Sequence, residues 1–267
     1  MVQSHAVTDG QAPPPAFADD IDAVAPAGAA VTPRLSWHDR ALSFVEVCLA
    51  TGLLTQVLVA GAMIAAGVPM RRPDGSLSLL MVAVPTLVDT VVTAALVVTF
   101  LRYRGERPRD VLLGRRPPRG EVVMGVGLVP VVFLTVALLG AVVQALAPWL
   151  HDVPDNPLAD LMKTPWSALV MGVVAVVGGG VREELQRGFI LHRFGQHLGG
   201  RTLGLVVFSA MFGLGHAEVQ GWDAAVYTGA LGLIWGVVFL ARGSIVAPIV
   251  SHAIFNAIQV AWQLATA

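Results

Sequence analysis

Charge and cysteine are what this sequence has least of. Only 13% of its 267 residues are Asp, Glu, Lys or Arg, against about 25% in an ordinary soluble domain. So few charges cannot cover a chain of this length with a water-facing surface. The single cysteine, Cys48, rules out an internal disulfide and a cysteine-based metal site. No basic excess exists either: the net charge is −1, which leaves nothing to attract nucleic acid. The stretch before Arg34 carries Asp9, Asp19, Asp20 and Asp22 where a cleavable signal peptide has a basic region. The first apolar span is therefore expected to remain as a signal anchor. No repeat of solenoid period is visible, and no Ser-His-Asp order for covalent catalysis.

What is abundant is apolar residues, at 55% of the chain, with a mean hydropathy of +0.70. They fall in long runs separated by short polar loops. A helix needs about 20 apolar residues to cross the hydrocarbon core. Candidate spans are Leu42 to Val68, Ser78 to Leu101, Val122 to Ala147, Trp166 to Leu191, Thr202 to His216, Ala224 to Ala241, and Ile245 to Ala265. The expected fold is an all-α polytopic transmembrane bundle of about seven helices. Residues 1–35, rich in Ala, Pro and Asp, read as a disordered tail. Residues 36–150 form an N-terminal set of membrane helices, and residues 151–267 a second set.

Arginine sets the expected orientation. The segment after the second span holds Arg102, Arg104, Arg107, Arg109, Arg115, Arg116 and Arg119. Alternation puts Arg34, Arg40, Arg193, Arg201 and Arg242 on the same side. Asp74, Asp152, Asp155, Asp160, Glu218 and Asp223 fall on the other, with Arg71, Arg72 and Lys163. The chain is expected to be a multi-pass protein of a bacterial plasma membrane, with its N-terminus in the cytoplasm.

Ionisable side chains inside a bilayer cost several kcal/mol and usually mark function. Three such groups lie in the second half: Arg182-Glu183-Glu184-Leu185-Gln186-Arg187, Phe212 to His216, and His252 to Asn256. Glu183 and Glu184 lie four and three residues before Arg187, and so share its helix face. His252 and Asn256, and Phe212 and His216, are four apart and do the same. Counted from the neighbouring Arg-side turns at 1.5 Å per residue, Glu184, His252 and His216 sit about 12 to 14 Å deep. One depth implies one site. Glu183, Glu184, His216 and His252 are expected to line a single cavity opening to the cytoplasm. A glutamate there can deprotonate water, and His and Asn can donate to an oxyanion. Alternatively, Glu184, His216 and His252 can hold a divalent metal such as Zn. Gly178, Gly179 and Gly180 precede the glutamates and allow a local helix distortion.

These three groups resemble the CAAX-protease and bacteriocin-processing family, also called Abi. Its motifs are Glu-Glu-x-x-x-Arg, Phe-x-x-x-His and His-x-x-x-Asn on separate membrane helices. Phe212–His216 and His252–Asn256 match in order and spacing. The first motif is one residue short here: aligning Arg187-Gly188 puts Arg182 and Glu183 at the glutamate positions. The resemblance spans roughly residues 160 to 260. It implies a membrane-embedded endopeptidase, glutamate- or metal-dependent, acting on peptide or membrane-protein substrates. Glu183 or Glu184 would be the base, with His216, His252 and Asn256 acting on the water and oxyanion, and Arg187 and Phe212 in support. Two other readings stay open: a small transporter or channel using Asp89, Glu184 and the histidines, and a catalytically silent immunity or scaffold protein. His192, His197 and Glu46 read as boundary residues.

Overall fold

A computed structural model of the chain describes residues 36–153 and 156–266. The tail 1–35 and Asp155 lie outside the described residues. Those described form helices α1 (Trp37–Ala50), α2 (Leu53–Ala65), α3 (Leu79–Tyr103), α4 (Pro108–Leu112), α5 (Pro118–Leu146), α6 (Pro165–Val174), α7 (Glu183–His197), α8 (Arg201–Gln220), α9 (Trp222–Arg242) and α10 (Val246–Thr266). No strand occurs among them beyond one isolated bridge, Arg71 with Leu77.

Each sequence-predicted span falls on a helix or a joined pair of helices. The number long and apolar enough to cross a membrane is smaller than seven, however. Helices α3, α5, α8 and α9 qualify alone, and α1 with α2 qualifies as one span bent by 42°. The bend sits at Gly52, whose φ of 76° is open to glycine at little cost. The α6–α7 run and α10 are helical throughout. The α6–α7 run is divided by a change of helix type into pieces each shorter than a span, and α10 is less apolar, carrying His252 and Asn256.

The outward faces are apolar. Leu53, Leu54, Val57 and Leu58 on α2, Val123, Val126, Leu134 and Leu138 on α5, and Val206, Met211 and Leu214 on α8 are all exposed. In water such surfaces would aggregate; in lipid they are the solvated face. Exposed aromatic residues mark two boundaries. Trp149, Trp166, Trp222 and Trp262 lie at one end of the helices, and Trp37 and Tyr103 at the other, as residues of a membrane–water interface do. The chain is a multi-pass membrane protein.

The Trp37–Tyr103 end is closed. Ala50, Val97, Leu101, Leu112, Phe189, Ile190, Leu191, Phe239 and Ile245 make its apolar core. Beside that core runs an ionic network. Arg193, fully buried, reaches Glu46 on α1 and Glu106 after α3. Arg104 donates to Glu46 (2.9 Å) and to the Ser43 hydroxyl (2.9 Å). His192 and Gln196 also bond Glu106. Glu46 is thus a buried ion-pair residue and not merely a boundary one. His192 and His197 do belong to this end, with His197 hydrogen-bonded to Ser43 at 3.0 Å. Burial works to raise the Glu106 carboxyl, but hydrogen bonds from Arg193, His192 and Gln196 outweigh it and hold the group below the ordinary carboxylate value.

Candidate active site

The helix that carries the glutamates is not α-helical throughout. A Thr164 capping box starts α6, in which Thr164 and Ser167 each bond the other's backbone N–H. From Ala175 to Arg182 the chain then widens into π-helical turns, and α7 begins at Glu183. The distortion expected at the triple glycine is therefore present, and it falls just before the acidic pair. It is held from outside. The Asn256 amide of α10 donates to the Ala175 carbonyl at 2.9 Å. A Cβ on Gly180 would lie 2.8 Å from that of Ala253, so only glycine lets α10 come this close.

Wide turns followed by α-helix point the two glutamates in different directions. Glu184 is 1% exposed and faces inward, where it pairs with Arg187 and accepts from His252 Nδ1 at 2.9 Å. Glu183 is 14% exposed, and its Oε2 stands 3.9 Å from His252 Nε2. One histidine therefore spans both carboxylates. Its ring stacks on Trp235 with centroids 3.8 Å apart, and the Trp235 indole donates to Ser251 at 3.2 Å. Phe212 sits between the two histidines, 5.0 Å from the His216 ring and 6.4 Å from that of His252. The Nδ1–H of His216 donates to the Phe212 carbonyl at 2.8 Å, which leaves Nε2 with its lone pair in the neutral ring.

Arg187 is fully buried, and its Nε and Nη2 have no hydrogen-bond partner. Aromatic faces take the place of acceptors. The rings of Phe212, Phe208 and Trp235 lie 5.0, 5.4 and 5.6 Å from its guanidinium carbon, within cation–π range.

Asp89, which had no partner in the sequence reading, pairs with Arg182 and accepts from Gln56 (3.2 Å) and Thr93 (3.3 Å). Arg182 also reaches Glu183 at 3.3 Å. The N-terminal helices thus supply one wall of the site. Sequence reasoning missed this pair, although opposite charges in two separate spans were the available signal. It missed Trp235 too, and nothing in the sequence distinguishes that tryptophan from a core residue.

A cavity of about 490 Å³ runs from this cluster between the helices. Glu183, His216, His252 and Asn256 line it, as does Phe212; Glu184 does not. The expectation that both glutamates line one cavity is corrected: the helix places them on different sides of His252. The cavity runs away from the Arg-rich segments. Its lining continues through Asn156, Gln220, Ala224, Gln259 and Gln263, toward the end that bears the four exposed tryptophans. Among the described residues, none of its lining comes from the Arg-rich end, where the apolar core stands in the way. Depth counts from the Arg side fixed how deep the cluster lies. They carried no information on which side was hollow.

The free lone pairs opening on the cavity belong to Glu183, His216 and His252, a donor set of the kind that divalent metals take. Glu184, named with the histidines for that role, is engaged by Arg187 and His252. Among the described residues, no three His, Cys, Asp or Glu side chains stand as a ready metal-binding group. Among the described residues the arrangement is not a preformed metal site.

Taken together, the site belongs to a membrane protein with a one-sided polar cavity whose glutamate and histidine are equipped for proton transfer to and from water. Comparison with known families narrows this. Residues 165–258 match the family model described as type II CAAX prenyl endopeptidase, Rce1-like. That segment contains all three motifs. No curated protein and no solved structure matches the chain.

Proposed function

We propose that the protein is an intramembrane endopeptidase in which Glu183 activates the attacking water. One observation carries the reading. Glu183 Oε2 and His252 Nε2 face each other across 3.9 Å at the blind end of the cavity, while Glu184 is held by Arg187 and His252. A polar pair at that spacing leaves room for a water held by both.

In the reaction, Glu183 takes a proton from this water as the oxygen attacks the scissile carbonyl carbon. The oxyanion is stabilised by donors. When the His252 ring carries a proton on each nitrogen, Nδ1–H goes to Glu184 and Nε2–H is left for this; in the neutral ring Nε2 keeps its lone pair. Asn256 keeps its second amide N–H after bonding Ala175. Glu184 holds the His252 ring in orientation, as a buried carboxylate does for a catalytic histidine. Collapse of the intermediate breaks the C–N bond, and Glu183 passes its proton to the leaving amine. By the arginine rule, the N-terminus and the Arg102–Arg119 segment face the cytoplasm.

The one-sided cavity supports this reading over a transporter, which needs a water path to both faces. A silent scaffold is separated by mutation, since it would work equally well with Glu183→Gln. The test is cleavage of a peptide library by the purified full-length protein in detergent. Wild type is compared with Glu183→Gln, Glu184→Gln and His252→Ala, each with and without a chelator. Cleavage abolished in Glu183→Gln, with the fold intact, is the expected result. Undiminished cleavage in that variant sinks the assignment of the base, and loss of wild-type cleavage on chelation assigns the activation to a metal.

A further inference from the structure

The mouth of the cavity and the charge pattern of the chain bear on each other. The cavity runs to the helix ends that carry Trp149, Trp166, Trp222 and Trp262. Arg102, Arg104, Arg107, Arg109, Arg115, Arg116 and Arg119 lie at the opposite end, against Arg71, Arg72 and Lys163 on the mouth side. Under the positive-inside rule the mouth is then on the non-cytoplasmic face. We propose that the site takes an unlipidated, extended polypeptide segment presented on that outer face.

The chemistry of the mouth carries the second half of the proposal. Asn156, Gln220, Gln259 and Gln263 line its outer part. Each side-chain amide offers a donor N–H₂ and an acceptor C=O, the same pair that a peptide unit presents. Amides from three elements, the 156–162 segment, α8 and α10, can therefore pair with successive backbone groups of an extended chain. Among the described residues, the Asp, Glu, Lys or Arg residues of the lining are Arg182 and Glu183, at the deep end. The mouth thus selects neither sign of charge and reads backbone more than side chain. The facing wall is apolar, with Leu158, Met162, Val82 and Val260; alternate side chains of an extended segment would lie against it. The cavity volume, about 490 Å³, falls within the roughly 300–1,000 Å³ of pockets that enclose a small ligand. It holds a few residues at a time, not a folded domain.

The fate of the bound segment rests on the endopeptidase reading; the side of access and the class of ligand do not. The experiment separates them. The full-length chain with Cys48→Ala is expressed in bacterial cells with one further substitution, Asn156→Cys or Gln263→Cys at the mouth, or Arg119→Cys on the Arg-rich segment. A membrane-impermeant maleimide is added to intact cells. The mouth variants are expected to react at once, and Arg119→Cys only after permeabilisation. The reverse pattern overturns the proposal.

In a second arm, Gln263→Cys is labelled in purified protein that also carries Glu183→Gln, so that peptide is not consumed. A library of unmodified decapeptides is expected to slow the labelling. Failure to slow it, or slowing only by S-farnesylated peptides, overturns the ligand class. Protection by unmodified peptides without cleavage in the Glu183 protein supports this inference while removing the endopeptidase reading.

Discussion

Two ionic clusters lie at different levels of this bundle, one at its Arg-rich end and one partway along the helices, built from nearly the same residue types. At the Arg-rich end, Glu46, Glu106, Arg104, Arg193 and His192 form a closed network. In the cavity cluster, Glu183, Glu184, Arg182, Arg187 and His252 are joined by Asp89. Both hold a buried arginine, paired carboxylates and a histidine. They differ in what is left over. Every carboxylate of both is touched by an arginine, but in the second Glu183 Oε2, His216 Nε2 and His252 Nε2 are left over and open onto a hollow. Residue type alone does not separate an ion-pair clamp from a reactive site. Unengaged polar atoms facing a cavity do.

The sharpest way to break that comparison is to neutralise one carboxylate in each cluster. Glu183→Gln is expected to lower the cleavage rate by about 10²–10⁴-fold, the usual contribution of a general base. Its thermal midpoint in detergent stays within a degree or two of wild type, since Glu183 is the exposed member of its pair. A variant that cleaves normally would place the two clusters in one category.

The next effect falls on the closed network. Arg193→Leu removes the shared partner of the buried Glu46, which keeps only Arg104, and of the half-buried Glu106. Breaking a buried ion pair from one side costs about 3–5 kcal/mol, so denaturation is expected at clearly lower temperature or denaturant. Cleavage per folded molecule is expected to hold. Glu184→Gln lies between the two cases. It removes the counter-charge of the buried Arg187 guanidinium and weakens the bond that orients the His252 ring, so both stability and rate are expected to fall.

A smaller effect tests the support of the π-helical turns. Asn256→Ala removes the donor to the Ala175 carbonyl, and an unsatisfied buried acceptor costs about 1–3 kcal/mol. Slower cleavage accompanied by a lower midpoint is the expected pattern. A slower rate at unchanged stability would assign Asn256 to the oxyanion alone.

The smallest effect is one of pH. Glu106 is held below its ordinary value in the folded protein. Its contribution is therefore complete above the unfolded-state value, about 4.3 for a glutamate, and is lost as pH falls through the lower folded value. A midpoint that declines below about pH 4, with a decline shallower in Glu106→Gln, is the expected outcome. An equally steep decline in both would remove Glu106 from the network's linkage.

The positions of the helices were largely legible, because long apolar runs leave no other structure in lipid. Among the described residues four or five helices qualify as spans by length and composition; a helix that carries His252 and Asn256 is helical throughout without being as apolar as the others. The constellation of Glu183, His216, His252 and Asn256 was legible from spacing and shared depth. Three things were not. The division of labour between Glu183 and Glu184 depends on a change of helix type that no pairwise spacing encodes. The Asp89–Arg182 pair depends on which spans become neighbours. The side on which the cavity opens depends on packing, where Phe189 and its neighbours fill one end and leave the other hollow.

The π-helical turns at Ala175–Arg182 have a mechanical consequence. Each residue of an α-helix turns the chain by about 100°, so a wide segment acts as a phase offset between the two helices it joins. Residues within it, from Ala175 to Gly180, are registered against Asn256 and Ala253, and residues after it against His252 and the aromatic rings around Arg187. The offset lets both registrations hold along one continuous rod. Shortening the rod by a single residue at the glycines would force one of them to rotate out of phase. The glutamate that looks into the cavity is therefore chosen by a count of backbone atoms upstream as much as by its own side chain.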